Sequence, residues 1–115
     1  MIDFRNKEGI YFVGIGGIGM SALALYFVKG GFDIAGYDRS ESKLSDSLEE
    51  SGCKIIYKDD VSLLPDLFRK IENREKVIIV YTPAIQSENK IISQLNNPLF
   101  DPFGCKFRFK VFIKR

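Results

Sequence analysis

Apolar residues in this chain gather in short runs set off by glycine or polar stretches, and the runs alternate between the two regular periods. Ile10–Val13 (IYFV) is rich in aromatic and β-branched residues and ends at glycine, which predicts a strand buried on both faces. Over Ile18–Lys29 the residues Met20, Ala22, Leu23, Ala24, Leu25, Phe27 and Val28 favour helix, and Gly30-Gly31 supply a left-handed stop. That helix is apolar nearly all round, which predicts burial. Phe32–Asp38 reads as a second strand. Ser40–Ser51 reads as a helix with Leu44 and Leu48 one turn apart, closed by Gly52. The pattern then repeats with a strand at Cys53–Tyr57, a proline-interrupted helical stretch at Val61–Ile71 and a strand at Val77–Tyr81. A further short helix is expected at Ser87–Asn96. Asn97–Gly104 holds Pro98 and Pro102 and reads as a loop. Cys105–Arg115 alternates Phe107, Phe109, Val111 and Ile113 with Lys106, Arg108, Lys110 and Lys114, the pattern of a last strand with one wet face.

Strands alternating with helices at these intervals mean βαβ crossovers. The expected fold is therefore α/β, a Rossmann-like doubly wound domain with a mainly parallel sheet and ligands at the carboxyl ends of its strands. Residues 1–115 form one domain in this reading, with 1–96 as its core and 97–115 as loop and final strand. No repeat, low-complexity tract or linker divides it. At 115 residues, 45% hydrophobic and 28% charged, the chain has material for one core. A second domain for a second substrate does not fit, so any two-substrate reaction would need another chain.

Charge and side-chain chemistry narrow the function. The net charge of +2 is too small to argue for nucleic acid or an anionic membrane. Five of the 17 basic residues lie in 104–115, which holds no acid, so residues 1–103 carry 12 basic and 15 acidic side chains. That basic tail could follow a phosphate backbone, although a solvated strand face explains it more simply. The absence of histidine removes the commonest neutral-pH base and metal ligand. Cys53 and Cys105 lack the spacing of a zinc or redox site and are expected to be reduced, buried and cytoplasmic. Ile10–Val28 holds no charge over 19 positions and has the length of a membrane span. Four glycines in its first half, with Asp3 and Glu8 ahead of it, favour strand, turn and helix over a span or signal peptide.

Gly14-Ile15-Gly16-Gly17-Ile18-Gly19 is a G-x-G-x-x-G between an expected strand and an expected helix. Gly14 would permit the tight turn, Gly16 would let the backbone approach a pyrophosphate, and Gly19 would let the helix lie close on the sheet. The first N–H groups of that helix would then face phosphate charge. The simpler alternative is a turn that uses glycine only for its geometry. Met20 stands where a phosphate-binding NTPase loop needs lysine before Ser21, so ATP hydrolysis is not expected here. Asp38 lies 19 residues after Gly19, where such folds place an acid against a ribose or base. It could otherwise simply begin the turn at Arg39-Ser40. Thr82-Pro83-Ala84-Ile85 follows the fourth strand at the same edge, as ligand wall or as plain turn. Asp59-Asp60 could hold a cation but reads better as a helix N-cap, and no metal is expected.

With those residues in place, Tyr11-Phe12-Val13-Gly14-Ile15-Gly16-Gly17-Ile18-Gly19-Met20-Ser21-Ala22 resembles the amino-terminal signature of the Mur ligases of peptidoglycan synthesis. Gly36-Tyr37-Asp38, the helix end from Leu48 to Gly52 and Val80-Tyr81-Thr82-Pro83-Ala84-Ile85 resemble the family in order and spacing, from about residue 8 to about residue 89. Tyr11 departs from the family's frequent histidine. Beyond Asn89 the likeness returns only at Lys110–Arg115.

The resemblance implies a domain that holds the UDP part of UDP-N-acetylmuramate. Backbone amides around Gly16, Gly17, Ile18, Gly19, Met20 and Ser21, beside Gly14, would hold the diphosphate. Asp38 and Arg39 would border the uridine, and Thr82, Pro83, Ala84 and Ile85 would line the opposite wall. The resemblance implies that the full-length enzyme adds L-alanine to that sugar nucleotide with ATP and Mg²⁺, in the cytoplasm of bacteria. The resemblance places the ATP and amino-acid sites in domains that these residues do not include, so the chain, as an excised domain or a truncated product, is expected to bind without catalysing. The competing expectation from G-x-G-x-x-G and Asp38 alone is an NAD-binding domain of a regulatory protein or dehydrogenase.

Overall fold

A computed structural model of the chain describes residues 5–70 and 75–81, together with the backbone of 108–110. Five strands, β1 (Gly9–Val13), β2 (Asp33–Tyr37), β3 (Lys54–Ile56), β4 (Val77–Tyr81) and β5 (Arg108–Lys110), form one sheet in the order β3-β2-β1-β4-β5. Every neighbouring pair is parallel. The chain runs from β1 outward to β2 and β3, then returns to the other side of β1 as β4. The order therefore reverses beside β1, and in sheets of this kind the crevice outside the carboxyl ends at that reversal is the ligand position. This is the doubly wound α/β architecture that the alternation of strands and helices predicts.

The period of two sorts the strand residues onto two cores. Ile10, Phe12, Ile34, Ile78 and Val80 face one side, where they meet Met20 and Ala24 of α1 (Ile18–Lys29) and Leu48 of α2 (Lys43–Glu50). Tyr11, Val13, Ala35, Tyr37, Val77 and Ile79 face the other, where they meet Leu64 and Phe68. Phe68 belongs to α3 (Asp66–Arg69), which follows a single 3-10 turn at Val61–Leu63. Pro65 divides the two: Leu64 before it is extended, with ψ 137°, as the proline ring requires of its predecessor. Asp60 caps the 3-10 turn, its carboxylate accepting from the Ser62 N–H at 3.0 Å and from the Ser62 hydroxyl at 2.7 Å. The N-cap reading of the acidic pair thus holds at Asp60.

Both longer helices end on the glycines that the sequence marks for it. Gly31 has φ +91° and Gly52 φ +107°, the left-handed region that favours glycine. Gly31 and Phe32 donate to the Val28 and Phe27 carbonyls, and Gly52 and Cys53 donate to Glu49 and Leu48. These are paired Schellman closures, each with an apolar contact across it. At the start of α2 a capping box links Ser42 and Ser45 reciprocally.

Three expectations change. α1 is not buried all round: Met20, Ser21 and Ala24 face the sheet, while Tyr26 is 71% exposed. A helix lying on one face of a sheet has one side against it, and no described residue covers its outer side. On α2 the buried residues are Ser45 and Leu48, three apart, and Leu44 is left exposed. The Val61–Ile71 stretch forms two separate turns of helix up to Arg69, with Ile71 outside the described residues. The helix expected at Ser87–Asn96, the loop at 97–104, Cys105 and the wet face of the last strand also lie outside the described residues. Residues 10–28 divide into strand, turn and a 12-residue helix, and no helix among the described residues is long and apolar enough to cross a membrane.

Tyr11 sits at the centre of the α3 face, edge-on to Phe68 at 5.3 Å between ring centroids. It is fully buried, and its hydroxyl has no hydrogen-bond partner among the described residues. Burial, with the Asp59 carboxylate and the Tyr37 hydroxyl nearby, pushes that hydroxyl well above the ordinary phenol range and keeps it neutral. A buried hydroxyl without a partner carries its desolvation cost uncompensated. Tyr11→Phe should therefore stabilise the domain by about 1 kcal/mol, read as a higher urea midpoint at unchanged slope. A lowered midpoint would show that the hydroxyl has a partner after all.

Candidate functional site

The glycine loop leaves β1 at its carboxyl end. Gly14 takes φ +86°, and the N–H groups of Gly14 and Ile15 both donate to the Tyr37 carbonyl, at 2.7 and 3.0 Å. The turn closes where the Gly17 N–H reaches the Gly14 carbonyl at 3.2 Å. Ile15 points back into the core beneath the loop, fully buried against the α1 face. The ends of β1 and β2 are thereby locked together, and the loop that follows is left at the edge of the sheet.

Gly17 is the N-cap of α1 and offers no side chain to cap it. The first-turn N–H groups of Ile18, Gly19 and Met20 have no acceptor within the helix, as at any helix start. The positive end of the helix dipole adds to them, so the geometry suits an anion. Their side chains behave differently. Ile18 is 84% exposed at the mouth of the loop, whereas Met20 is buried on Ile15 and Ala24. Ser21 uses its N–H on the Gly17 carbonyl at 2.7 Å and its hydroxyl on the Ile18 carbonyl at 3.0 Å. Both of its donors are spent inside the helix.

Asp38 closes β2 beside this loop. Its Oδ2 accepts the Gly16 N–H at 2.8 Å and its Oδ1 accepts the Ser40 N–H at 3.3 Å. Gly16 is glycine for that reason: a Cβ there would stand 2.8 Å from Asp38 Oδ2 and 3.2 Å from its Cγ. Arg39 is exposed on the same edge and lies close enough to counter the pull of Asp59 and Asp38 on the Tyr37 hydroxyl, which burial raises first of all. The structure so brings Gly14, Gly16, Gly17, Ile18, Gly19 and Met20 to one edge with Asp38 and Arg39. Thr82, Pro83, Ala84 and Ile85 lie outside the described residues, directly after β4.

Gly36 supports the site in a way that the G-x-G-x-x-G pattern does not include. A Cβ on it would lie 2.6 Å from the Phe12 carbonyl oxygen and 2.8 Å from two carbons of the Ile15 side chain. Its bare Cα is what lets Ile15 turn inward and the glycine loop sit down on β2. The sequence signals are the glycine itself inside an expected strand, which often marks close approach, and its place in the Gly36-Tyr37-Asp38 segment.

Other chemistry is sparse. Burial pushes the Cys53 thiol up to about 11, so it is no nucleophile at neutral pH. Among the described residues no cluster of His, Cys, Asp or Glu could hold a metal ion. Met20, at the position of the NTPase lysine, is apolar and buried in the core, so that position offers no cation to a phosphate.

The model of the Mur ligase family, catalytic domain, matches residues 9–101. A UDP-N-acetylmuramate--L-alanine ligase from Christiangramia forsetii is 40% identical over 101 residues, covering 88% of this chain and 22% of that protein. One from Flavobacterium psychrophilum is 47% identical over 85 residues, covering 73% of this chain and 18% of that protein. Among solved structures, the UDP-N-acetylmuramate-alanine ligase of Thermotoga maritima superposes with a TM-score of 0.64 at 25% identity, over 89% of this chain and 20% of that one. The chain thus spans about a fifth of the length of the relatives it matches.

Proposed function

Since the chain belongs to the Mur ligase family, we propose that it holds the uridine diphosphate end of UDP-N-acetylmuramate, as part of a cytoplasmic ligase that joins L-alanine to that sugar nucleotide. The observation that carries this reading is the uncapped start of α1 beside the glycine loop, at the carboxyl edge of the sheet where its strand order reverses. In this reading the N–H groups of Ile18, Gly19 and Met20 take the diphosphate. The exposed Ile18 side chain and Arg39 border the nucleoside. ATP, Mg²⁺ and the amino acid belong to other parts of such a ligase, and no chemical step is assigned to the residues described here.

Parallel calorimetric titrations with UDP-N-acetylmuramate, UDP, uridine and NAD test this. UDP and its sugar derivative should bind, and uridine should bind at least about tenfold less tightly. A single lost charge-assisted contact of about 1.4 kcal/mol gives that factor. Uridine binding as tightly as UDP would remove the glycine loop from the site. Preference for NAD would restore the dinucleotide reading.

A further inference from the structure

The Asp38 carboxylate joins two loops that are far apart in sequence. Its Oδ2 takes the Gly16 N–H from the glycine loop and its Oδ1 takes the Ser40 N–H from the turn leading to α2. Gly16 leaves no space between loop and carboxylate, and the Ser42 hydroxyl, at the N-cap of α2, flanks the same spot. The neighbouring amides are engaged as well: Gly17 donates to the Gly14 carbonyl and Ser21 to the Gly17 carbonyl. With these bonds made, the first-turn N–H groups of α1 are the ones left facing the crevice.

We propose that Asp38 is a positioning residue for the diphosphate. Bonded to Gly16, it holds the glycine loop in the shape that presents the first turn of α1 to phosphate, and this is a separate role from any contact with a ribose. The proposal rests on the diphosphate reading above. Two effects of opposite sign make it testable. By charge alone a carboxylate beside the site repels a phosphate, so removing it should strengthen anion binding. A brace gives the reverse, because the loop relaxes once the Gly16 bond is gone.

Inorganic pyrophosphate, which has no ribose, separates these effects. Wild type, Asp38→Ala and Asp38→Asn are titrated with pyrophosphate and with UDP, each variant being first checked for native circular dichroism. Asp38→Ala should weaken both ligands by a similar factor, about tenfold, the equivalent of one lost charge-assisted hydrogen bond. Asp38→Asn keeps an oxygen for the Gly16 N–H and should recover most of the affinity. In ¹H–¹⁵N spectra the Gly16 amide proton should move upfield in Asp38→Ala and stay near its original position in Asp38→Asn. Unchanged or tighter pyrophosphate binding by a folded Asp38→Ala variant would overturn the brace, and loss confined to UDP would assign Asp38 to the ribose. A wild-type chain that binds neither ligand would instead overturn the diphosphate reading itself, and the brace with it.

Discussion

Replacing Gly16 with valine should abolish UDP binding in a domain that still folds. Gly16 is not among the glycines with positive φ, so its backbone accepts a side chain, and the residue is only half-buried. The obstacle is what the side chain would meet. Its Cβ alone would stand 2.8 Å from Asp38 Oδ2, and the branched methyl groups would fill the space between the loop and the Ser42 hydroxyl. Asp38 would have to leave, which breaks its bond to the Gly16 N–H and with it the hold on the loop that presents the first turn of α1. Loss of one hydrogen bond to a charged group accounts for about 1.5–3 kcal/mol. With the displacement of the loop from Asp38 and Ser42 added, affinity should fall by roughly a hundredfold or more. Circular dichroism and UDP titration check both halves, and a folded variant that keeps its affinity would move the site away from the loop.

Gly36→Ala should cost stability on a scale that the Gly16 change does not. The added methyl would come within 2.6 Å of the Phe12 carbonyl oxygen, which is backbone of the central strand and cannot swing aside. Phe12 and Gly36 are register partners in the β1–β2 ladder, so relief of this contact means pushing the two strands apart or displacing Ile15. Overpacking of this kind costs about 3 kcal/mol at the upper end of its usual range. In a domain of this size that lowers the melting temperature by roughly 10–20 °C. Because Ile15 lies beneath the glycine loop, UDP affinity should fall as well. A melting temperature within a few degrees of wild type would show that β1 and β2 have slack which the structure does not reveal.

Asp38 and Gly16 also show where motif reading stops. The fingerprint gives Gly16 to the pyrophosphate and Asp38 to the ribose, each by its place in a pattern. In the folded chain they are bonded to each other, and the smallness of Gly16 serves the carboxylate first. A motif records which residue types stand at which spacing; it does not record which of two neighbours a donor chooses when both lie within reach.

The local architecture was legible in the chain alone. The helix bounds Ile18–Lys29 and the strand Val77–Tyr81 emerge from residue type and period, because backbone geometry of that range is decided by near neighbours. The stops at Gly31 and Gly52 follow because the left-handed conformation nearly demands glycine. The parallel sheet follows from the alternation itself, since a strand can reach a parallel partner only by a crossover. Tertiary structure alone decided how much of α1 is buried, for apolar composition does not say how many sides of a helix have a neighbour. It also left the Tyr11 hydroxyl without a partner among the described residues and set the Phe12 carbonyl against Gly36, residues 24 positions apart in sequence. Those contacts depend on the register between strands, which the hydrophobic pattern constrains only to the correct face.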